Sequence, residues 1–278
     1  MTIRVLILRA PGINRDQDAA LACTLAGGTP ERVHVNRVAE GAVRLADYAM
    51  LVIPGGFSYG DHLGAGRLLA VDLAHRLGEQ LEQFVADGRP VIGICNGFQV
   101  LVKAGILPGP VEQPSAAHDA GATPSSASPA LRRMPVTLTD NRSARFECRW
   151  VRLAAEPSSR CLLTRGLSHP IEVPVAHGEG RLVVSDPAAG ASLQAQGLVA
   201  LRYVGTVRGP AGYPANPNGS LDDIAGLCNP QGNVLGLMPH PENAVLPQQH
   251  PRWTREPARE EGDGLVIFRN AVQYAASL

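Results

Sequence analysis

From Ile3 to Leu8 the chain carries a short apolar run rich in β-branched residues, and Pro11-Gly12 turns it toward a helix-like stretch from about Asp16 that stops at Gly27-Gly28. The same order then recurs. Val33 to Val35 and Tyr48 to Ile53 are candidate strands, the second ending at Pro54-Gly55-Gly56, and Arg67 to Ala86 follows with helical spacing. Val91 to Ile94 is a fourth strand, leading straight into a short helix that ends at Gly105. Near-continuous apolar strands alternating with helices are what a parallel sheet covered on both faces requires, because such strands keep no face for water. The pattern predicts an α/β fold, an open and mostly parallel sheet flanked by helices.

Residues 110 to 134 break the pattern, with almost nothing large and apolar to bury, and are expected to be a disordered or mobile insertion. The second half is strand-rich, with candidates at Pro135 to Leu138, Phe146 to Leu153, Ile171 to Val173, Arg181 to Ser185, Leu198 to Val204 and Asn233 to Met238. These suit an antiparallel extension of the sheet. Pro247 to Gly262 is polar and Pro-broken, after which Leu265, Phe268, Val272 and Ala275 form one stripe of a closing helix. A single domain over 1–278 accommodates all of it.

Composition narrows the classes of function. Twenty-five Lys plus Arg balance 25 Asp plus Glu, so no broad basic face exists and nucleic acid is not an expected partner. Nor is a membrane, since no stretch approaches the roughly 20 apolar residues of a spanning helix. The N-terminal apolar stretch is interrupted by Arg4 and stopped by Arg9, too short for a signal peptide. Five cysteines without a C-x-x-C pair favour neither a disulfide framework nor a metal site. A cytoplasmic location is expected.

Chemistry concentrates at strand ends. Gly93-Ile94-Cys95-Asn96-Gly97 sits where a buried strand turns sharply into a helix, the setting of a nucleophile elbow with Cys in place of Ser. Small neighbours relieve the crowding of such a turn, and the helix N-terminus favours a thiolate. Taken alone, a small core cysteine is an equal reading. Downstream, Met238-Pro239-His240-Pro241-Glu242 pins a histidine between prolines with a carboxylate two residues on. A Cys nucleophile needs a base and a group to orient that base, and the three need only meet in space. The loop Pro54-Gly55-Gly56-Phe57 also lies at a strand end, where open α/β sheets gather ligands. Its Gly55-Gly56 backbone and the N–H of Asn96 are a candidate oxyanion hole, although a plain turn is the commoner use of Gly-Gly.

Five segments then carry a resemblance: Gly55-Gly-Phe-Ser-Tyr-Gly-Asp61, Gly93-Ile-Cys-Asn-Gly-Phe-Gln99, Ala176-His-Gly-Glu-Gly180, Asn216-Pro-Asn-Gly-Ser220 and Met238-Pro-His-Pro-Glu242. Together they resemble the class I (triad) glutamine amidotransferases, with their flavodoxin-like sheet, and among these the glutaminase subunits of phosphoribosylformylglycinamidine synthase. The resemblance implies hydrolysis of L-glutamine to glutamate and ammonia, with ammonia channelled to a separate ATP-dependent synthetase subunit (PurL-like) in purine synthesis. It leaves open whether a small bridging subunit (PurS-like) takes part. Carried across, it makes Cys95 the nucleophile that forms a γ-glutamyl thioester, His240 the proton shuttle and Glu242 its orienting group, with Gln99 lining the glutamine pocket beside Gly55, Gly56, Phe57 and Asn96. No cofactor or metal is expected on this chain, ATP and magnesium belonging to the synthetase.

His177, Glu179, Asn216 and Asn218 lie in Gly-flanked or turn-rich loops, for which a subunit interface and a structural turn are even readings. The chain departs from the family pattern at Gly64 and Asn243, where arginine is frequent, neither of them in the triad. Two other classes compete: a γ-glutamyl hydrolase or peptidase-like enzyme with the same three residues, and a redox-sensing cysteine protein of related fold. The first lacks the full set of loops found here, and the second has no need of Pro-His-Pro-Glu.

Overall fold

The computed structural model describes residues 2–110, 135–207 and 209–278. All but the first residue of the expected 110–134 insertion lies outside them. The first half alternates strand and helix: β1 (Arg4–Arg9), α1 (Asp16–Leu25), β2 (Thr29–His34), α2 (Val35–Ala39), β3 (Met50–Ile53), α3 (Arg67–Arg76), α4 (Gly78–Ala86), β4 (Val91–Ile94) and α5 (Asn96–Lys103). The second half holds β5 (Val136–Thr139), β6 (Glu147–Ala155), β7 (Ile171–His177), β8 (Arg181–Val184), α6 (Pro187–Ala195), β9 (Val199–Tyr203), the one-turn α7 (Gly212–Ala215), β10 (Ile224–Cys228), β11 (Val234–Leu237) and α8 (Leu265–Ala275).

Among the described residues nine strands form one sheet in the order β2-β1-β3-β4-β11-β10-β9-β6-β7, and β5 pairs with β8 in a separate ribbon. From β2 to β11 every pairing is parallel; from β11 to β7 every pairing is antiparallel. The open, mostly parallel sheet with an antiparallel extension is therefore what the chain forms. Every residue of β3, β4 and β11 is buried, as strands covered on both faces must be. In β7 burial alternates along the strand, the mark of a strand with one face on the core.

Four local outcomes differ from the sequence pattern. Val35 does not end a strand but opens α2, because the His34 side chain accepts the Asn36 N–H at 3.2 Å and caps a helix there. The helical span from Arg67 to Ala86 is two helices, broken at Leu77, whose φ of −128° is not helical. Strand β10 was not expected; Gly226 interrupts its apolar run, and the gap is filled by the Gly236 carbonyl of β11. Helix α6 was also unexpected, its Ala/Gly-rich sequence offering no apolar stripe, although the Asp186 side chain caps it by accepting the Ala189 N–H at 2.9 Å.

Pairing across the centre of the sheet positions the site. β11 runs parallel to β4 with Gly236 opposite Gly93 and Leu237 opposite Ile94. The two strands thus end side by side, and the residues just past them, Cys95 on one and Met238 to Glu242 on the other, emerge at the same carboxyl edge.

Candidate active site

Cys95 occupies a strained corner. Its φ and ψ of 50° and −105° leave the regions that L-residues ordinarily adopt, and the surrounding packing holds it there. The Cys95 N–H donates to the Leu237 carbonyl at 2.8 Å, fastening the corner to β11. A side chain on Gly97 would overlap the Ile53 carbonyl oxygen, and one on Gly93 would overlap Leu101. The small residues around the nucleophile are therefore required by close backbone approach. The Asn96 N–H, in the first turn of α5, has no acceptor inside the helix.

His240 and Glu242 form a buried pair, Nδ1 to Oε1 at 2.6 Å, with their side chains 4% and 0% exposed. The His240 N–H donates to the Pro174 carbonyl of β7 at 2.8 Å, so the prolines on either side and one backbone bond fix the ring. Burial opposes charge on the imidazole, but the neighbouring Glu242 carboxylate and Cys95 sulfur outweigh it and raise His240 to about 10. Nε2 makes no hydrogen bond among the described residues, and Cys95 acts on the ring chiefly through its charge. A side chain on Gly55 would lie 2.8 Å from His240 Cε1, which places the Gly-Gly loop directly against the base.

Loop residues 12–15 clamp that loop from outside. The Gly55 carbonyl accepts the N–H groups of Asn14 (3.4 Å) and Arg15 (3.3 Å), and the Phe57 N–H donates to the Gly12 carbonyl at 2.9 Å. The Gly56 N–H lies outside this pairing and stays available as a donor. The Phe57 N–H is spent on its bond to Gly12, so Phe57 borders the pocket through its side chain and not as a backbone donor. Its ring is 47% exposed and meets Phe146 at 6.5 Å between centroids, on the rim.

Asn96 and Gln99 are buried and their side chains bond within the protein. Asn96 Oδ1 accepts the Ser58 N–H at 3.1 Å, and its amide donates to Asp61 and to Gln99 Oε1, each at 3.0 Å. Gln99 Nε2 donates to the Glu179 carbonyl at 2.5 Å, while the Glu179 carboxylate accepts the Ala65 N–H at 3.1 Å. Burial raises Asp61 above the usual carboxylate range, against the hydrogen bonds from Gly66 and Asn96. These residues knit three loops around the start of α5.

Three of the four residues left between interface and turn are buried in this chain, and the amides of Asn216 and Asn218 bond inside it. His177, Asn216 and Asn218 are 3%, 6% and 0% exposed. Asn216 donates to the Ser220 carbonyl (3.0 Å) and to Asp223 (2.8 Å), and Asn218 donates to the Gly180 carbonyl (2.8 Å) and the Tyr203 hydroxyl (3.1 Å). Glu179 is half-buried. Burial, followed by the neighbouring His240 charge, lowers His177 to about 3. Asn141, Tyr203 and Ser220, which share this network, were missed by sequence reasoning; the Gly-bracketed His177 and the paired asparagines were the available signal.

With the geometry in place, comparison with known proteins adds independent weight. The model of the CobB/CobQ-like glutamine amidotransferase domain matches residues 2–275. The phosphoribosylformylglycinamidine synthase subunit PurQ of Dehalococcoides mccartyi is 44% identical over 275 residues, 98% of each chain. That of Treponema denticola is 47% identical over 251 residues, 88% of this chain and 90% of its own. Among solved structures, PurLQS from Thermotoga maritima contains a chain 30% identical to this one, with 99% of each covered and a TM-score of 0.67.

Proposed function

The chain belongs to the CobB/CobQ-like glutamine amidotransferase family, and on that premise we propose that Cys95, His240 and Glu242 are its catalytic triad. It is the glutamine-hydrolysing partner in phosphoribosylformylglycinamidine synthase, supplying ammonia for purine biosynthesis. The observation that carries the assignment of residues is the parallel register of β4 and β11, which brings a strained cysteine and a carboxylate-bound histidine to one sheet edge from 145 residues apart.

The chemistry follows from these groups. The Cys95 thiolate attacks the side-chain amide carbon of glutamine, and the N–H groups of Asn96 and Gly56 receive the oxyanion. Each such donor typically contributes about 10²- to 10³-fold in rate. His240, charged because Glu242 and Cys95 hold it so, gives the Nε2 proton to the amide nitrogen; the C–N bond breaks, ammonia leaves and a γ-glutamyl thioester remains. The neutral ring then takes a proton from water, whose oxygen attacks the thioester carbon, and the C–S bond breaks to release glutamate. Glu242 holds the ring in one tautomer throughout.

The ammonia is consumed on another chain, a synthetase subunit that uses ATP and magnesium, joined on the Thermotoga maritima pattern by a small PurS-like subunit. The complex works in the cytoplasm. Among the described residues no helix is long and apolar enough to cross a membrane. Glutamate release measured with the synthetase present tests the assignment: the wild type turns over and Cys95→Ala falls to background. A silent wild-type complex, or an active Cys95→Ala, overturns it.

A further inference from the structure

The steps above use His240 and leave a second buried imidazole, His177, without a task. The Ala176 carbonyl beside it accepts the Cys95 thiol at 3.8 Å, and the charge of His240 reaches the His177 ring. A side chain on Gly180 would overlap that ring, so the backbone is shaped around the imidazole. His177 Nδ1 has no hydrogen-bond partner among the described residues, although buried polar atoms are almost always paired. Nε2 faces Asn218 Nδ2 at 3.3 Å. The Asn218 oxygen accepts the Ser220 N–H (3.0 Å) and hydroxyl (2.7 Å), so the amide NH₂ is the end turned toward the ring and the Tyr203 hydroxyl. The two N–H groups of that amide go to the Gly180 carbonyl and the Tyr203 hydroxyl, so Nε2 faces a donor group and no acceptor, which leaves the ring proton on Nδ1.

Tyr203 is 1% exposed, and its phenol feels the Cys95 charge. The buried polar chain does not stop there. Ser220 and Asn216 line a cleft of about 530 Å³ whose other walls include Arg142, Tyr213 and Asp222. Polar groups thus run from beside the nucleophile to an opening on the surface.

Resting on the glutaminase reading, we propose that His177, Asn218 and Tyr203 form the first holding site for the ammonia released at Cys95 and direct it toward the cleft at Ser220. Ammonia accepts one hydrogen bond and donates three, and the site offers a donor at Nδ1–H and an acceptor at the Tyr203 oxygen. An uncharged imidazole donates its N–H as a hydrogen bond but is far too weak an acid to give the proton up, so the ligand stays as NH₃. A charged ring would deliver ammonium, which has no lone pair with which to attack.

The test is a nitrogen balance in the full complex with its synthetase partner, ATP and ribonucleotide substrate: amidine product formed per glutamate released from glutamine. The wild type gives a ratio near one. In His177→Leu the ratio falls about fivefold, the equivalent of one neutral hydrogen bond, and the missing nitrogen is recovered as free ammonia in solution. His177→Asn, which keeps a donor near the Nδ1 position, restores most of it; Tyr203→Phe lowers the ratio about twofold. Product formed from added ammonium chloride stays at the wild-type level in all three. An unchanged ratio in His177→Leu, or in Tyr203→Phe should the leucine variant fail to fold, overturns the proposal. So does a wild-type ratio far below one, or a His177→Asn ratio as low as that of His177→Leu. A wild-type complex that releases no glutamate overturns the glutaminase reading instead.

Discussion

The two halves of the sheet deliver the two halves of the site by different physics. On the parallel side, β2 to β4, the nucleophile is set by steric contact: Gly97 lies against the Ile53 carbonyl, Gly12 against the Phe57 carbonyl, and strands β3 and β4 are fully buried. On the antiparallel side, β11 to β7, the base is set by charge and hydrogen bonding: His240 to Glu242, His240 N–H to Pro174, and Asn218 among Gly180, Tyr203 and Ser220. Close packing is sensitive to volume and indifferent to pH, whereas buried charge is the reverse. One side should therefore fail when a methyl group is added, the other when a charge is removed.

The sharpest separation comes from Glu242→Gln, which keeps volume and removes charge. Glutamate release in the complex should fall about 10³- to 10⁴-fold, as for other catalytic imidazoles deprived of their carboxylate. The stability profile should change as well. His240 is raised from 6.5 to about 10, with burial opposing and Glu242 and Cys95 prevailing. Its contribution to stability is therefore complete below about 6.5 and is lost as pH rises toward about 10. Melting curves between pH 6 and about 10.5 should show this alkaline limb in the wild type and a shift of it to lower pH in the variant. A variant with the wild-type rate and limb would mean that charge does not set this side.

The steric side breaks with Gly97→Ala. The new methyl group meets a backbone carbonyl, which cannot swing aside as a flexible side chain would. The expected loss is about 3 kcal/mol, a fall of roughly 5 to 10 °C in Tm that is the same at every pH where the wild type is folded. A loss confined to one pH range would place a titrating group at this corner and blur the contrast.

The two sides also differed in how much their sequences disclosed. Strands β1, β3 and β4 could be read because burial on both faces leaves uninterrupted apolar runs between turn residues, and the elbow could be read because the glycines that permit close packing are visible as Gly-x-Cys-x-Gly. Pro-His-Pro-Glu disclosed the base for a similar reason, since neighbours in sequence fix it. Strand β10 and helix α6 could not be read, because Gly226 and an Ala-rich helix carry little periodic signal of their own. The turn-rich segments of His177, Asn216 and Asn218 suit surface turns or an interface, because polar side chains in such segments ordinarily meet water. Their partners lie in other strands and loops, so their burial is a property of the assembled sheet and not of any local pattern.

The seam between the sides can be weakened by itself. Asn233, 0% exposed at the start of β11, donates to the carbonyls of Val85 and Arg89 at 2.9 Å each, while its own carbonyl accepts the Val91 N–H of β4 at 2.9 Å. Asn233→Ala leaves two carbonyls short of a donor and should cost about 2 kcal/mol. Because β4 and β11 together define the edge on which Cys95 and His240 meet, glutamate release should fall along with Tm. A variant that melts earlier yet turns over normally would show that register at the far ends of the strands does not reach the site.

The smallest effect is expected where the antiparallel side uses charge at the surface. Arg259 reaches Glu256 at 2.7 Å and Asp263 at 2.8 Å, with its own side chain 28% exposed, and so ties the Pro-broken segment before α8 to itself. The Glu256 contact is nearly as short as the 2.6 Å between His240 and Glu242, whose side chains are 4% and 0% exposed. If contact length governed, the two would matter alike. Screening by water says otherwise: exposed pairs contribute about 0.2 to 1 kcal/mol and lose it in salt. Arg259→Ala should therefore lower Tm by about 3 °C or less in dilute buffer, with the difference from wild type vanishing near 1 M sodium chloride. A larger loss that survives salt would mean that the outer ion pairs of this side act like its buried one, and that burial is not what separates the working charge from the others.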